Sequence, residues 1–171
     1  LVAVWSTNQK LGIEDGALSF GDLTELSRHD AFQEVAGSTG RSFTVTAGEV
    51  PERVEGSSIT PNLFSMLGIE PQLGRLFRAE EAAPAGFEQV VILSDGLWRT
   101  RFGGDPSIID RRVHLNGREL VVVGVMPPGF RFPSDRFADL WTIFRPERSN
   151  SRPPYFVSAV ARPRPDASAA D

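Results

Sequence analysis

The sequence contains no cysteine among its 171 residues. This excludes disulfide bonds and thiolate catalysis, and it removes the ligand that most structural zinc sites use. Histidine is almost as scarce, since only His29 and His114 are present. So few imidazoles disfavour a histidine metal site or a serine–histidine–aspartate triad. We therefore expect no metal and no cofactor in this chain.

Long hydrophobic runs are also missing, since no stretch of about 18 consecutive apolar residues occurs. We therefore predict that no segment of this sequence spans a bilayer. The apolar start at residues 1–5 is interrupted by Asn8, Gln9 and Lys10, too early for a signal peptide. The first residue is not methionine, and the chain ends within a segment that is charged and contains proline, ARPRPDASAAD. These features predict a piece of a longer protein.

The charge balance is mildly acidic, with 18 basic and 22 acidic residues and a net charge of −4. This disfavours a nucleic-acid partner. The 16 glycines and 13 prolines predict many turns and short helices. The length suits one domain, or one domain with two lobes. We predict an α+β fold of mixed β-sheets with short helices.

Residues 54–77 organise the rest of the chain as a corner made of a strand, a helix and a turn. Thr60 is the predicted N-cap and Pro61 the first helical residue, where its missing N–H costs nothing. Gly68 is expected to end the helix in a left-handed conformation. The corner contains no nucleophile or phosphate-binding pattern, so we interpret it as a packing device. Its predicted buried residues are Leu63, Phe64 and Leu67.

Hydrophobic periodicity predicts the remaining elements. Ser19 is expected to cap a helix running to about His29, and Asn116-Gly117 is predicted to form the type I′ turn of a hairpin. Residues 1–5 are predicted to be a buried strand, because nearly all of them are apolar. The other predicted strands cover residues 32–36, 40–48, 53–59, 89–93, 111–115, 119–125, 137–144 and 155–161.

Two acidic segments are candidate sites of chemistry. Glu80 and Glu81 lie in a polar segment, so we expect both to be solvated. Ser94 and Asp95 follow an apolar strand, at the position where doubly wound folds bind ligands. Because no glycine-rich phosphate motif accompanies them, we expect them to cap a helix that ends at Gly103.

Two further groups are candidates for contacts with other molecules. The first group is a cluster of arginines, which could bind an anion or a lipid headgroup or simply form a solvated face. The second group is a set of aromatic rings in a proline-rich segment, which could cover the core or contact another protein. The cluster consists of Arg99, Arg101, Arg111 and Arg112, and the rings are Phe130, Phe132 and Phe137. From these two groups we take Arg99, Arg101, Phe130 and Phe132 as the candidate interaction surface.

Two long phrases carry a family resemblance, VEGSSITPNLFSMLGIEPQLGRLF and VVILSDGLWRTRFGGDPSIIDRRVHLNGRELVVVGVMPPGFRFP. In their order they resemble the periplasmic core domain of MacB-type ABC transporter permeases, especially the duplicated permeases without an ATPase of their own that are found in acidobacteria. The resemblance covers residues 11–144. The chain departs from the family at Asp110, where glycine is usual.

The resemblance implies a porter-like α/β lobe and a second, β-rich lobe, within a core domain at residues 1–161 and followed by a tail at 162–171. Such a domain would lie on the periplasmic face of the inner membrane, between the first two transmembrane helices of its permease. Its implied partners are those helices, an ATPase subunit on the cytoplasmic side that it does not touch, and a periplasmic adaptor. Its implied role in export is mechanical, and no catalytic residue is carried over.

Two other functions stay open from the sequence. The chain could be a small-molecule-binding sensor domain, which a ligand would stabilise by mass action. It could also be a hydrolase using Ser94 and Asp95, which would require a closed polar pocket around Asp95.

Overall fold

The computed structural model describes residues 1–8, 13–46, 50–83, 89–132, 138–144 and 156–165. These residues form mixed sheets and short helices, which confirms the predicted α+β class. The strands are β1 Val2–Val4, β2 Ser6–Asn8, β3 Ile13–Gly16, β4 Phe32–Thr46, β5 Pro51–Ile59, β6 Leu73–Gly74, β7 Val90–Leu93, β8 Arg112–Leu115, β9 Arg118–Val125, β10 Leu140–Ile143 and β11 Ser158–Pro163. The helices are α1 Phe20–Leu26, α2 Leu63–Met66 and α3 Asp95–Phe102, with 3₁₀ turns at Ala79–Ala82 and Pro106–Ile108.

The chain divides into two compact units. The terminal unit comprises residues 1–39 and 146–171, and the central unit comprises residues 40–145. The boundary falls within β4, between Thr39 and Gly40.

The terminal unit pairs β1, β11 and β4 in that order, with both pairs antiparallel. Helix α1 begins at Ser19 as predicted, because Ser19 and Asp22 form a reciprocal capping box. Leu23 is the buried residue of this helix. A side-chain carbon at Gly37 would lie 2.6 Å from Leu23, so the helix packs closely on β4 at this glycine.

The prediction that residues 1–5 form a buried strand is wrong. β1 is the last strand of its sheet, and Leu1 is 59% and Trp5 57% exposed. A short apolar run has no polar alternation to distinguish an edge strand from a central one. Strand β11 also extends to Pro163, two residues into the predicted tail, and the Arg164 amide donates to Ala31 O at 2.9 Å.

The central unit contains a sheet in the order β4, β5, β10, β7, β9 and β6, with β8 paired to β4 and β9. β10 is parallel to β5 and antiparallel to β7, while β7 is parallel to β9. Every residue of β7 is buried, as predicted for a central strand. The core cluster around it consists of Phe43, Val45, Val54, Val91, Leu93, Leu97, Trp98, Ile108, Val113, Leu115, Val122, Val125 and Leu140.

The β8–β9 hairpin turns at Asn116 and Gly117, as the sequence predicts. Their φ angles are 50° and 73°, and positive φ at both central residues is what a type I′ turn requires. Asp110, in the segment before β8, also has a positive φ of 65°. A positive φ favours glycine, which is the residue that the resemblance leads us to expect at this position. Asp110 therefore adopts a conformation that suits glycine better than aspartate.

The corner at α2 is formed partly as predicted. Leu63, Phe64 and Met66 are buried and Gly68 has a φ of 69°, but Leu67 is only half-buried. Thr60 is not the N-cap, because α2 begins two residues later than predicted, after Asn62. The Leu63 amide donates to the Thr60 carbonyl at 3.1 Å, so Thr60 closes a turn before the helix.

Candidate interaction surface

Ser94 and Asp95 lie at the first turn of α3. The Ser94 hydroxyl accepts a hydrogen bond from the Leu97 amide at 3.0 Å, which confirms Ser94 as the predicted cap. Asp95 accepts bonds from Arg99 Nε at 2.9 Å and from Gln72 Nε2 at 2.8 Å. The Arg99 bond, reinforced by the Gln72 bond, holds the pKa of the Asp95 carboxyl below its ordinary value. These contacts assign both residues to capping and ion pairing, which leaves the hydrolase hypothesis without geometric support.

Gln72 joins three elements of the central unit, and sequence reasoning did not identify it. Its side-chain amide donates to Met126 O at 2.7 Å as well as to Asp95, and its backbone amide donates to Val125 O at 2.8 Å. The end of β9, the start of α3 and the segment after α2 are therefore held together. No pattern marks Gln72 in the sequence, because its partners are distant along the chain.

Each arginine of the predicted positive cluster has a carboxylate partner. The pairs are Arg99–Asp95 at 2.9 Å, Arg101–Glu52 at 2.7 Å, Arg111–Asp105 at 3.7 Å and Arg112–Glu119 at 3.0 Å. Four positive charges thus face four negative ones. This pairing does not favour binding of an anion or a lipid headgroup at the cluster, although an exposed ion pair adds little stability.

Arg99 and Arg101 lie on α3 but differ in exposure. The Arg99 side chain is 59% exposed, and its guanidinium lies 5.2 Å from the centre of the Trp98 ring. The Arg101 side chain is 25% exposed and donates through Nη2 to Val50 O at 2.9 Å. Arg101 therefore ties α3 to the segment before β5, while Arg99 presents an ordered cation to the outside.

Phe130 and Phe132 follow β9 and contact the aromatic residues of the α2 corner and β10. The Phe130 ring lies 5.5 Å from Phe64 and 5.6 Å from Trp141, and those two rings also meet edge to face. The Phe132 carbonyl accepts the Trp141 indole N–H at 3.2 Å. Both phenylalanines are half-buried, so they cover the core and keep a partly exposed surface. Phe137 lies outside the described residues.

The expectation of a solvated acid pair is wrong for Glu81. Glu80 is exposed, whereas Glu81 is only 3% exposed and forms an ion pair with Arg75. Its other carboxylate oxygen accepts the Arg78 amide at 2.8 Å. Glu81 is thus the capping acid of the Ala79–Ala82 turn, and these partners compensate for its burial.

Metal ligands and membrane-spanning helices are both absent from the part of the chain that the structure describes. No group of three or more histidine or acidic side chains is arranged to hold a metal ion there. No helix within the same residues is long and apolar enough to cross a membrane.

Three solved structures have a similar fold. The periplasmic region of MacB from Actinobacillus actinomycetemcomitans aligns with a TM-score of 0.70 and 18% identity, over 96% of this chain and 73% of that one. The extracellular domain of the noncanonic ABC-type transporter YknZ from Gram-positive bacteria gives 0.68 and 17%, over 93% and 80%. A domain of a putative permease protein from Porphyromonas gingivalis gives 0.65 and 18%, over 90% and 65%.

Comparison with curated proteins finds no match to this chain. The family model described as the MacB-like periplasmic core domain matches residues 1–171, the whole sequence. It agrees with the fold of the structural neighbours and with the resemblance of the two sequence phrases. The chain belongs to the MacB-like periplasmic core domain family.

Proposed function

We propose that the chain is the extracytoplasmic domain of an ABC transporter permease, located at the periplasmic face of the inner membrane. It performs no catalysis; it contacts substrate or partner proteins and transmits ATP-driven conformational change during export. The observation that carries this proposal is the family match over residues 1–171. Its partners would be the transmembrane helices of the same permease and a periplasmic adaptor, while the ATPase subunit lies on the cytoplasmic side.

The structural neighbours support the same context. One is the periplasmic region of MacB, one the extracellular domain of an ABC-type transporter, and one a domain of a putative permease. Low identity limits these likenesses to the fold, so they support the proposal only together with the family match. Nothing in the contacts of Ser94 and Asp95 favours an enzyme instead.

We assign the partner contact of this function to Arg99, Arg101, Phe130 and Phe132. Arg99 is exposed yet held by Asp95 and stacked on Trp98, so its side chain loses little freedom on binding. Phe130 is held by two aromatic neighbours while remaining partly exposed. Ordered arginine and aromatic side chains of this kind contribute strongly to many protein interfaces.

The absence of cysteine provides a direct test of location. Arg99→Cys and Arg112→Cys are introduced separately into the permease that carries this domain, in a background without other cysteines. A membrane-impermeant maleimide should label both in intact spheroplasts, because both side chains are exposed. Val91→Cys, at a fully buried position, should stay unlabelled until unfolding. Labelling of Arg99→Cys and Arg112→Cys only after lysis would overturn the proposed location.

The same labelled proteins test the contact surface. A bulky label at position 99 should reduce ATP-driven export several-fold, whereas a label at position 112 should leave export unchanged. Arg112 is the matched control, because it too is an exposed arginine paired with one carboxylate. Equal export from the two labelled proteins would contradict the assignment of Arg99 while leaving the proposed location intact.

A further inference from the structure

Asn116 makes two hydrogen bonds to one residue of a distant strand. Its backbone amide donates to Thr44 O at 2.9 Å, and its side-chain oxygen Oδ1 accepts the Thr44 amide at 2.8 Å. These bonds continue the short β4–β8 pairing beyond Val45–Leu115. The hairpin turn is therefore attached to β4 through the Asn116 side-chain amide.

The residue after Asn116 is an exposed glycine with open space on its side-chain face. Gly117 is exposed, and a side-chain carbon at this position would meet no atom within 4 Å. Asn116 is the only asparagine in the sequence that is followed by glycine. Since glycine has no side chain, it is the residue that least obstructs attack by its amide nitrogen.

We propose that Asn116 is a site of spontaneous deamidation in the folded protein. The Gly117 nitrogen gives its proton to a water or hydroxide and attacks Cγ of Asn116, so that a bond from this nitrogen to Cγ forms. The bond from Cγ to Nδ2 then breaks, and Nδ2 takes a proton from water and leaves as ammonia, which balances the proton lost by Gly117. Water then opens the resulting succinimide ring. Opening at one carbonyl gives aspartate, and opening at the other gives isoaspartate. No oxidant or reductant is involved, and water is the only co-reactant.

The Thr44 amide supplies the feature that distinguishes this turn from an isolated Asn-Gly pair. Attack on Cγ places negative charge on Oδ1, the atom that the Thr44 N–H already contacts at 2.8 Å. A fixed backbone donor at a developing oxyanion stabilises the tetrahedral intermediate. The fold therefore supplies part of the stabilisation that an unfolded Asn-Gly sequence obtains only from water.

The two products should affect the hairpin differently. Aspartate keeps an oxygen that can accept the Thr44 amide, so the attachment to β4 survives. Isoaspartate lengthens the main chain inside a two-residue turn, which alters the register that the turn fixes. It should therefore weaken the pairing of β8 with both β4 and β9. This inference does not depend on the proposed transporter function.

The test follows Asn116 by peptide mass spectrometry while the 171-residue chain is incubated in mildly alkaline buffer, folded in one sample and unfolded in urea in another. The folded chain should convert Asn116 several-fold faster than Asn62, which precedes leucine and serves as the internal control. It should convert Asn116 at least as fast as the unfolded chain does. An intact Asn116 in the folded sample, with conversion in urea, would show that the turn protects the residue and would overturn the proposal.

A substitution separates the attack by Gly117 from general hydrolysis. Gly117→Ala should slow conversion at position 116 several-fold, because a methyl group obstructs the nitrogen. This variant can be compared in urea, so a loss of folding would not affect the result. An unchanged rate in Gly117→Ala would mean that the backbone nitrogen is not the nucleophile.

Discussion

Asp110 is a non-glycine residue with a left-handed backbone conformation. Its φ of 65° lies in the left-handed region, where a side chain other than that of asparagine or aspartate is disfavoured. Its amide donates to Val122 O at 2.8 Å, which fixes the conformation. The chain therefore carries some strain at Asp110, where the resemblance leads us to expect glycine.

Replacing Asp110 tests this strain. Asp110→Gly should raise the free energy of unfolding by up to about 1 kcal/mol, because the strain removed exceeds the added freedom of the unfolded chain. Asp110→Ala should lower it, because alanine tolerates positive φ less well than aspartate does. Denaturant unfolding measures both changes.

Gly117→Ala provides the control for Asp110, since it adds a methyl group at a φ of 73° without meeting any neighbour. It should cost about 1–2 kcal/mol from backbone strain alone. If Asp110→Gly proved no more stable than Asp110→Ala, the strain at position 110 would be refuted.

At the scale of elements, β6 and β9 approach each other unusually closely. Gly74 is paired with Gly124, and a side-chain carbon at Gly124 would lie 2.4 Å from the Arg75 carbonyl oxygen. Only glycine fits between the two backbones at this crossing. The short strand β6 therefore depends on Gly124 for its place beside β9.

Gly124→Ala should lower the free energy of unfolding by about 1–3 kcal/mol or more, because a backbone atom has to move. The matched control is Gly96→Ala in α3, where the nearest atom, Ser94 Oγ, is 3.8 Å away. This control should be neutral or stabilising by up to about 1 kcal/mol, as alanine favours helix. Thermal or denaturant unfolding would show the contrast, and similar stabilities for the two variants would rule out a tight crossing.

Elements governed by local signals were predicted well from the sequence. The Asn116-Gly117 turn, the Ser94 cap and the buried strand β7 all follow from neighbouring residues. Predictions failed where the outcome depends on distant partners. Four of the first five residues are exposed because β1 is an edge strand, and the burial of Glu81 is compensated by its ion pair with Arg75.

The candidate surface shows the same division. Its residues could be selected from the sequence, since arginine and phenylalanine are visible there. The ion pair of Arg101 with Glu52 and the packing of Phe130 on Phe64 join residues far apart in the chain. No local pattern contains that information, and Gln72 was missed for the same reason.

For the whole molecule, charge couples stability to pH through a few carboxyl groups. Burial raises the pKa of Asp139, and the nearby charges of Glu52 and Glu55 raise it further, against a hydrogen bond from the Glu55 backbone. Because its pKa is raised in the folded protein, Asp139 makes its full contribution to the free energy of unfolding only below pH 3.8, the ordinary pKa of the group. That contribution is lost as the pH rises through the higher value in the folded protein.

Asp139→Asn should therefore be more stable than the unmodified protein at neutral pH, because asparagine carries no charge and can still accept a hydrogen bond. The difference should shrink as the pH falls and vanish below about pH 3.8, where Asp139 is protonated in both states. Melting temperatures across this range measure the effect.

Asp95→Asn is the opposite control for Asp139. The pKa of the Asp95 carboxyl is lowered by its hydrogen bond with Arg99 and, to a smaller extent, by that with Gln72. The stabilising contribution of Asp95 is therefore present above pH 3.8 and is lost as the pH falls. Asp95→Asn should therefore reduce stability at neutral pH. A pH-independent gain in Asp139→Asn would contradict the raised pKa.

The parallel pairing of β5 with β10 has a consequence for how the protein is made. Ser58 and Thr142, whose hydroxyls meet at 2.9 Å across these strands, are separated by 84 positions along the chain. During synthesis, β5 emerges long before the strand that will pair with it. Until β10 arrives, one side of β5 lacks its backbone partner and can associate with other extended chains. Folding of the central unit thus has to wait for a late segment, and the long separation predicts slow closure.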